Sequence, residues 1–200
     1  MDLILIRHPA IALAGGMCYG QSDVPLALPP QAEVARLAAR VEAMCPQGNL
    51  QFHSSTLSRC SEIARLLAAR FNAALSTDAR LQEIDFGRWE LQAWDRVPRA
   101  ELDQWAADIE HACAHGGESV ARLALRVQHW LNEFESLSPP SAAPGAMVVV
   151  THAGVMRVLA AQALRLPLAA CLDWQLDLGA ICRFQPRRGA PGWTLVAWNS

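Results

Sequence analysis

Leu3-Ile4-Leu5-Ile6-Arg7-His8-Pro9 opens the chain with four apolar residues, followed by an arginine, a histidine and a proline. A short apolar run bounded by proline predicts a buried strand over residues 2–7. Arg7 and His8 then lie at the carboxyl end of that strand, where open α/β sheets bind ligands. Arginine offers a planar fork of donors to phosphate or carboxylate, and histidine can act as nucleophile, acid or base. The stretch therefore predicts both a fold class and a site.

Strand and helix patterns alternate along the rest of the chain, which is typical of an α/β fold. We predict a three-layer α/β/α sandwich with a mainly parallel central sheet and a C-terminal edge hairpin, forming one domain over residues 1–200. The predicted strands are 2–7, 50–53, 75–77, 146–151, 179–185 and 193–198. The predicted helices are 31–45, one capped by Ser54-Ser55-Thr56, one near 98–112, one starting at Val120, and 154–166.

Composition narrows the class of protein. The chain has 200 residues, 52% of them hydrophobic and 18% charged, which is typical of a globular protein with a sizeable core. A net charge of -2 argues against a nucleic-acid binder that relies on a broad basic surface. All 17 basic residues are arginines, which excludes a Walker-type lysine, a lysine Schiff base and a lysine general base.

The six cysteines form no CxxC pair. The apolar stretch before Arg7 is too short for a signal peptide, and no run approaches the roughly 18 apolar residues of a membrane span. We therefore expect a cytoplasmic protein with reduced thiols and no membrane partner.

Three strand-to-helix junctions carry cationic or titratable side chains: the first carries Arg7 and His8, the second Arg59 and the third His152. The last two junctions open predicted helices. Helix N-termini present unpaired N–H groups and the positive end of the dipole, so they favour anions. If the junctions meet at one sheet edge, they form a pocket suited to a dianionic phosphate. The side chains expected to converge there are Arg7, His8, Arg59 and His152.

Five segments, in the same order along the chain, resemble the motifs of the histidine phosphatase superfamily, the phosphoglycerate-mutase-like group. The family patterns are RH(G), SSPLxR, LxExxFGxWEG, GGES and VxHxG. The matching segments are Arg7-His8, 54–59, 81–90, 116–119 and 150–154. Any one of these strings is common, but five in order are highly specific.

The resemblance implies a mechanism that agrees with the chemistry of the residues. His8 would attack phosphorus in line and form a phosphohistidine. Arg7, Arg59 and His152 would hold the phosphoryl oxygens and offset the charge of the transition state. Glu83 would protonate the leaving alkoxide and then activate water. No metal or other cofactor is implied. The carboxylates of Asp85 and Glu90 lie nearby in sequence, and only the family pattern selects Glu83.

The chain departs from the family pattern after His8. Pro9 replaces the usual glycine and removes a backbone N–H at that position. The family's following asparagine is also absent, which leaves Tyr19, Gln21 and Ser22 as candidates to replace its phosphate contact.

Other polar and aromatic residues have simpler interpretations. His111, Cys113 and His115 alternate along the chain without a partner cluster, so we expect an incidental or solvated arrangement and no metal. His53 and His129 are interpreted as structural. The tryptophans are mostly core residues, with Trp89 and Trp94 as candidates for a substrate mouth.

Together these features predict a metal-independent phosphomonoesterase that hydrolyses a small phosphorylated metabolite, with α-ribazole 5'-phosphate as the specific substrate. Within the resembling family, mutases that act on phosphoglycerate are usually longer in the region corresponding to 90–118, which favours a hydrolase. A phosphoglycerate mutase is one alternative, and a non-catalytic protein that binds a phosphorylated ligand is the other, kept open by Pro9. The sequence also leaves open a homodimer.

Overall fold

A single six-stranded sheet joins strands from both ends of the chain. The computed structural model describes residues 1–46, 49–137, 145–187, 189 and 192–200. The strands are β1 (Asp2–Arg7), β2 (Asn49–Ser54), β3 (Leu75–Thr77), β4 (Gly145–Thr151), β5 (Ile181–Pro186) and β6 (Trp193–Ala197). Their order across the sheet is β3-β2-β4-β1-β5-β6. The strands β1 to β4 run parallel, while β5 pairs antiparallel with both β1 and β6. The predicted sheet and its edge hairpin are confirmed.

Helices cover both faces of this sheet. They are α1 (Gln31–Met44), α2 (Ser58–Arg70), α3 (Arg99–Ala107), α4 (Val120–Leu137), α5 (Ala153–Leu164) and the single turn α6 (Ala169–Leu172). Successive strand residues point to opposite faces, so β1 places Ile4 and Ile6 against α1 and α2, and Leu3 and Leu5 against α4 and α5. The three-layer sandwich is therefore as predicted.

The start of α2 differs from the prediction. Leu57 occupies the N-cap position, and no side chain of the preceding Ser54-Ser55-Thr56 caps the helix. Instead Asp23, from the loop after β1, accepts bonds from the backbone N–H and the hydroxyl of Ser58, both at 2.7 Å. A carboxylate 35 residues away thus satisfies a donor that we assigned to the local serines.

Other boundaries shift by smaller amounts. The predicted helix near 98–112 ends at Ala107, and the helix over 154–166 begins at Ala153 and ends at Leu164. The short α6 was not predicted. Among the described residues, no helix is long and apolar enough to cross a membrane.

Residues 86–115 pack around a small hydrophobic core that is separate from the two cores of the sheet. Cys18, Trp89 and Val97 are buried together, and Trp94 and Trp105 pack against them. The Trp89 side chain is 1% exposed, and its indole N–H donates to Glu101 at 2.7 Å. The interpretation of Trp89 as a lining of the substrate mouth is therefore wrong, since this ring is a core residue.

Candidate active site

The sheet brings two of the predicted junctions to the same edge and places the third beside them. Parallel pairing aligns Arg7 with Thr151, and Ser54 with Val150, so the three strands end together. Backbone hydrogen bonds between the neighbouring chain segments continue for one residue past the strand ends. The His8 N–H donates to Thr151 O and the Ser55 N–H donates to Val150 O, each at 3.0 Å. The carboxyl ends of β1, β2 and β4 therefore form one floor for the site.

His8 is buried and held in one tautomer. Its Nδ1 lies 2.8 Å from the carbonyl oxygen of Pro9, and because a carbonyl only accepts, Nδ1 must donate. The Nε2 atom is then left without a proton and can act as a nucleophile. Burial is the main cause that lowers the pKa of His8 to about 3. The bond to Pro9 O opposes it, and the cationic Arg59 and Arg7 act in the same direction as burial. His8 is thus a neutral imidazole at neutral pH.

Pro9 supplies the group that fixes this tautomer. Proline lacks a backbone N–H but keeps its carbonyl, and its ring restricts the backbone that carries the oxygen. The departure from the family glycine therefore leaves the hydrogen bond to His8 Nδ1 in place.

Arg59 is fully buried at the start of α2. Two of its nitrogens donate to backbone carbonyls of the loop after β1, Gly20 O at 2.6 Å and Ser22 O at 2.7 Å. Its guanidinium carbon lies 5.2 Å from the centre of the Tyr19 ring, which also approaches His8 edge-on at 6.2 Å. These contacts anchor the arginine side chain next to His8.

The arginines leave buried donors without protein partners. Arg7 donates from one terminal nitrogen to Leu176 O at 2.5 Å, but the Nε atoms of Arg7 and Arg59 are buried and unbonded. Within the described part of the chain, neither arginine forms a salt bridge with a carboxylate. Buried cations without a counter-charge, with donors to spare, are the features of an anion site.

His152 completes this group at the N-cap of α5. Its side chain is fully buried, its Nε2 lies 2.8 Å from Ser55 Oγ, and its ring centre is 5.2 Å from that of His8. Burial lowers the pKa of His152 well below its usual value, and the neighbouring His8 and Arg59 act in the same direction. The structure therefore brings together all four side chains that were expected to converge.

Glu83 lies beside the start of α5. One carboxylate oxygen accepts from the N–H of Ile84 at 3.0 Å, and the other from the N–H of Gly154 at 3.1 Å. A Cβ atom at position 154 would lie 2.3 Å from Glu83 Oε1, which explains the glycine there. The bond to Gly154 places the Glu83 carboxylate two residues from His152.

The rival carboxylates are engaged elsewhere. Asp85 accepts from the Gly87 N–H at 2.7 Å. Glu90 accepts from the N–H groups of Gln21, Ser22 and Phe86 and from the Ser22 hydroxyl. Both therefore hold loops in place, whereas the Glu83 carboxylate lies beside the start of α5, near His152.

These bonds also distinguish the three residues that could replace the phosphate contact of the missing family asparagine. The Ser22 hydroxyl is bound to Glu90, and the Gln21 amide donates to Glu83 O at 3.1 Å. Tyr19 is the candidate whose ring lies beside both His8 and Arg59.

His111 and His115 lie in different surroundings. His111 is exposed and bonded to Asp108, whereas His115 is 1% exposed and its Nδ1 accepts from the Gly117 N–H at 3.0 Å. Of the incidental or solvated arrangements that were expected, the solvated one therefore does not apply to His115. In the described ranges, no three His, Cys, Asp or Glu side chains are arranged to hold a metal ion. His53 is structural as predicted, since it accepts from the Trp130 indole at 3.3 Å.

Sequence reasoning missed two residues, one that contacts Glu83 and one in the segment after it. Arg126, on α4, donates to the backbone carbonyl of Glu83 at 2.9 Å. Leu91 has a φ of +61° and is 53% exposed, at the position where the family motif LxExxFGxWEG ends in glycine. The replacement of the motif glycine could have drawn attention to Leu91 in the sequence. For Arg126 the sequence offered only its place on a predicted helix.

Comparison with known proteins identifies the family of the chain. The model of the histidine phosphatase superfamily (branch 1) matches residues 3–200. Glucosyl-3-phosphoglycerate phosphatase from Mycolicibacterium vanbaalenii is 30% identical over 176 residues, covering 83% of this chain and 75% of that protein. Adenosylcobalamin/alpha-ribazole phosphatase from Escherichia coli K12 is 26% identical over 186 residues, covering 90% and 87%. Probable phosphoglycerate mutase GpmB from Proteus mirabilis is 30% identical over 203 residues, covering 98% and 91%.

The fold agrees equally well. The solved structure of mycobacterial glucosyl-3-phosphoglycerate phosphatase superposes with a TM-score of 0.84 at 24% identity, covering 100% of this chain and 98% of that one. The chain therefore belongs to the histidine phosphatase superfamily. It is a phosphoric monoester hydrolase of the histidine phosphatase type.

Proposed function

We propose that the protein hydrolyses a small phosphorylated metabolite through a phosphohistidine at His8. One observation carries this proposal. A neutral imidazole with a free Nε2 lies beside two arginines that have buried donors and no carboxylate partner among the described residues. A phosphate dianion supplies the missing negative charge and places its phosphorus within reach of the nucleophile.

In the first step His8 Nε2 forms a bond to phosphorus while the bond from phosphorus to the leaving oxygen breaks. Arg7, Arg59 and His152 hold the phosphoryl oxygens as charge develops on them. The Nδ1–H bond to Pro9 O supports the positive charge that the imidazole ring gains. Glu83, protonated at this stage, gives its proton to the leaving oxygen.

In the second step water attacks the phosphohistidine. The Glu83 carboxylate, now without its proton, accepts one from the water, so that an oxygen-phosphorus bond forms as the nitrogen-phosphorus bond breaks. Inorganic phosphate leaves, His8 is again neutral and Glu83 is again protonated. The residues of this chain supply every proton transfer in the cycle.

Rapid quenching during turnover of a phosphate ester labelled with ³²P tests the nucleophile. We expect acid-labile, base-stable label on His8 of the wild type and no label on a His8→Ala variant. Normal turnover by His8→Ala would contradict the mechanism. Hydrolysis of 4-nitrophenyl phosphate in excess chelator would eliminate the alternative of a protein that binds a phosphorylated ligand without turnover.

We propose α-ribazole 5'-phosphate as the first natural substrate to test, on the basis of the likeness to the Escherichia coli alpha-ribazole phosphatase. A role in cobalamin biosynthesis goes with that substrate. The likeness to glucosyl-3-phosphoglycerate phosphatase supports glucosyl-3-phosphoglycerate as the competing substrate. Comparing kcat/KM for the two esters, within a panel of phosphorylated metabolites, decides between them.

A phosphoglycerate mutase is the second candidate, because the Proteus mirabilis relative with that name covers 98% of this chain. A mutase returns the phosphoryl group to the glycerate, whereas a phosphatase gives it to water. Stoichiometric release of phosphate from 3-phosphoglycerate without formation of 2-phosphoglycerate would eliminate the mutase.

The location and partners are part of the same proposal. Free thiols at Cys18, Cys60, Cys171 and Cys182, all buried, support a cytoplasmic location. The proposed partner is the small phosphorylated substrate, with no role for nucleic acid or membrane. A homodimer stays a prediction, and sedimentation at micromolar concentration tests it.

A further inference from the structure

The Arg126 side chain has no donor left for a substrate. Its Nε and one terminal nitrogen bind both oxygens of the Glu118 carboxylate, each at 2.8 Å. Its terminal nitrogens also donate to Arg80 O and Gln82 O at 2.7 Å and to Glu83 O at 2.9 Å. These contacts occupy all five N–H groups of the guanidinium. Arg126 therefore acts on the protein and does not contact phosphate.

All the carbonyls that Arg126 binds belong to the segment that carries Glu83. The rest of that segment is held in the same way. Leu81 O accepts from the Thr151 hydroxyl at 2.7 Å, and Asp85 O accepts from the Glu118 N–H at 2.8 Å. Glu118 thus binds the segment directly through its backbone and indirectly through Arg126.

The carboxylate of Glu83 has weaker restraints of its own. It accepts from two backbone N–H groups, those of Ile84 and Gly154, at 3.0 and 3.1 Å. Its position therefore depends on where the backbone of residues 80–85 lies. A carboxyl group that moves by about 1 Å from a leaving oxygen loses much of its catalytic value.

We propose that the Glu118–Arg126 ion pair is the positioning device for the general acid and thereby sets how well the enzyme expels poor leaving groups. This inference rests on the proposed role of Glu83. Proton donation matters most when the leaving oxygen is strongly basic, and least when it is a stable phenolate. Loss of the ion pair therefore has a chemical signature that a general structural defect does not have.

The test uses a series of aryl phosphates, from 4-nitrophenyl to 4-methoxyphenyl phosphate, and measures kcat/KM as the leaving group becomes more basic. Glu83→Gln is the reference for loss of the acid. We expect it to lower kcat/KM roughly a hundredfold for the ester with the poorest leaving group and much less for 4-nitrophenyl phosphate. We expect Arg126→Lys and Glu118→Gln to steepen the same dependence, with about a tenfold loss on 4-methoxyphenyl phosphate and less than about a threefold loss on 4-nitrophenyl phosphate.

The ion pair between Arg183 and Asp2 provides a matched control. It has similar burial, with side chains 22% and 18% exposed against 19% and 13% for Arg126 and Glu118. Its two bonds, at 2.8 and 2.6 Å, both go to one oxygen of Asp2, whereas Arg126 binds both oxygens of Glu118. The control pair joins β5 to β1 at the other end of β1 from His8. We expect Arg183→Lys to keep the wild-type dependence on the leaving group.

The outcomes separate this inference from the proposed function. A uniform loss on all esters in both Arg126→Lys and Glu118→Gln, beside a steep dependence in Glu83→Gln, would overturn the positioning role alone. A flat dependence in Glu83→Gln would overturn the acid role itself. If Arg126→Lys fails to fold, Glu118→Gln carries the test, because it keeps Arg126 and its three carbonyl bonds.

Discussion

The two sides of the site satisfy their polar groups to different degrees. The phosphate side, Arg7, His8, Arg59 and His152, keeps buried Nε donors unbonded and holds its histidines neutral. The acid side, Glu83, Glu118 and Arg126, has every guanidinium donor bonded within the protein. Unsatisfied buried groups destabilise a fold, and a bound anion would satisfy the Nε donors of Arg7 and Arg59. The difference supports the proposal that the phosphate side faces the substrate and that Arg126 and Glu118 only support it.

Removing the charge from the phosphate side has the largest expected effect. We expect Arg59→Met to lower kcat/KM by at least a hundredfold for good and poor leaving groups alike, because the lost contacts are to phosphoryl oxygens. Inorganic phosphate should raise the Tm of the wild type, since it binds the folded state, and should not raise that of the variant. Steady-state kinetics and thermal scans measure both effects.

Arg65 is the control for this prediction, because it is an exposed arginine on the same helix. Arg65→Met should behave as the wild type. A dependence on the leaving group in Arg59→Met would contradict the division between the two sides.

The second-largest expected effect is the pH dependence of stability that the histidines of the phosphate side cause. The pKa of His8 falls from 6.5 to about 3 on folding, so the unfolded chain binds a proton that the native protein excludes across that window. Above pH 6.5 His8 is neutral in both states and costs the folded protein nothing. As the pH falls below 6.5, the unfolded chain gains a proton at His8 and the free energy of unfolding decreases. We expect His8→Asn to reduce the slope of unfolding free energy against pH by up to about 1.4 kcal/mol per unit below pH 6.5.

Urea unfolding between pH 7 and 5 in a buffer without phosphate measures this slope. His152→Asn should reduce it as well, because burial lowers the pKa of His152 in the same direction. A slope that both substitutions leave at the wild-type value would show that the pKa values of these histidines do not fall on folding.

The smallest expected effect lies outside both sides of the site, at Leu91. Leu91 follows Glu90, and its N–H donates to Cys18 O next to Tyr19. A leucine at φ +61° is strained, whereas glycine adopts this conformation without penalty. We expect Leu91→Gly to raise the free energy of unfolding by about 1 kcal/mol, measured by urea denaturation.

The same substitution at an exposed leucine with helical backbone gives the opposite sign. Leu125 lies on α4 and is 59% exposed, so Leu125→Gly should lower stability by about 1 kcal/mol. Destabilisation by Leu91→Gly would show that contacts of the leucine side chain outweigh the backbone strain.

Local sequence patterns were sufficient to predict the sheet and the phosphate side. The apolar runs before His8 and His152 are strands because they are short and buried on both faces, and parallel pairing then brings their ends together. The predictions failed where a partner was remote in sequence. Asp23 caps α2 from 35 residues away, and Arg126 reaches Glu83 O from 43 residues away.

The sequence by itself determined the α/β class and the four side chains of the phosphate side, because periodicity and junction chemistry are local properties, and it indicated the family through five ordered segments that resemble the family motifs. Only the tertiary structure decided that Pro9 O fixes the His8 tautomer, that Glu90 and Asp85 hold loops, and that Arg126 supports Glu83. These roles depend on which backbone carbonyl or N–H faces each side chain. Backbone groups are the same in every residue, so a sequence carries no local sign of such contacts.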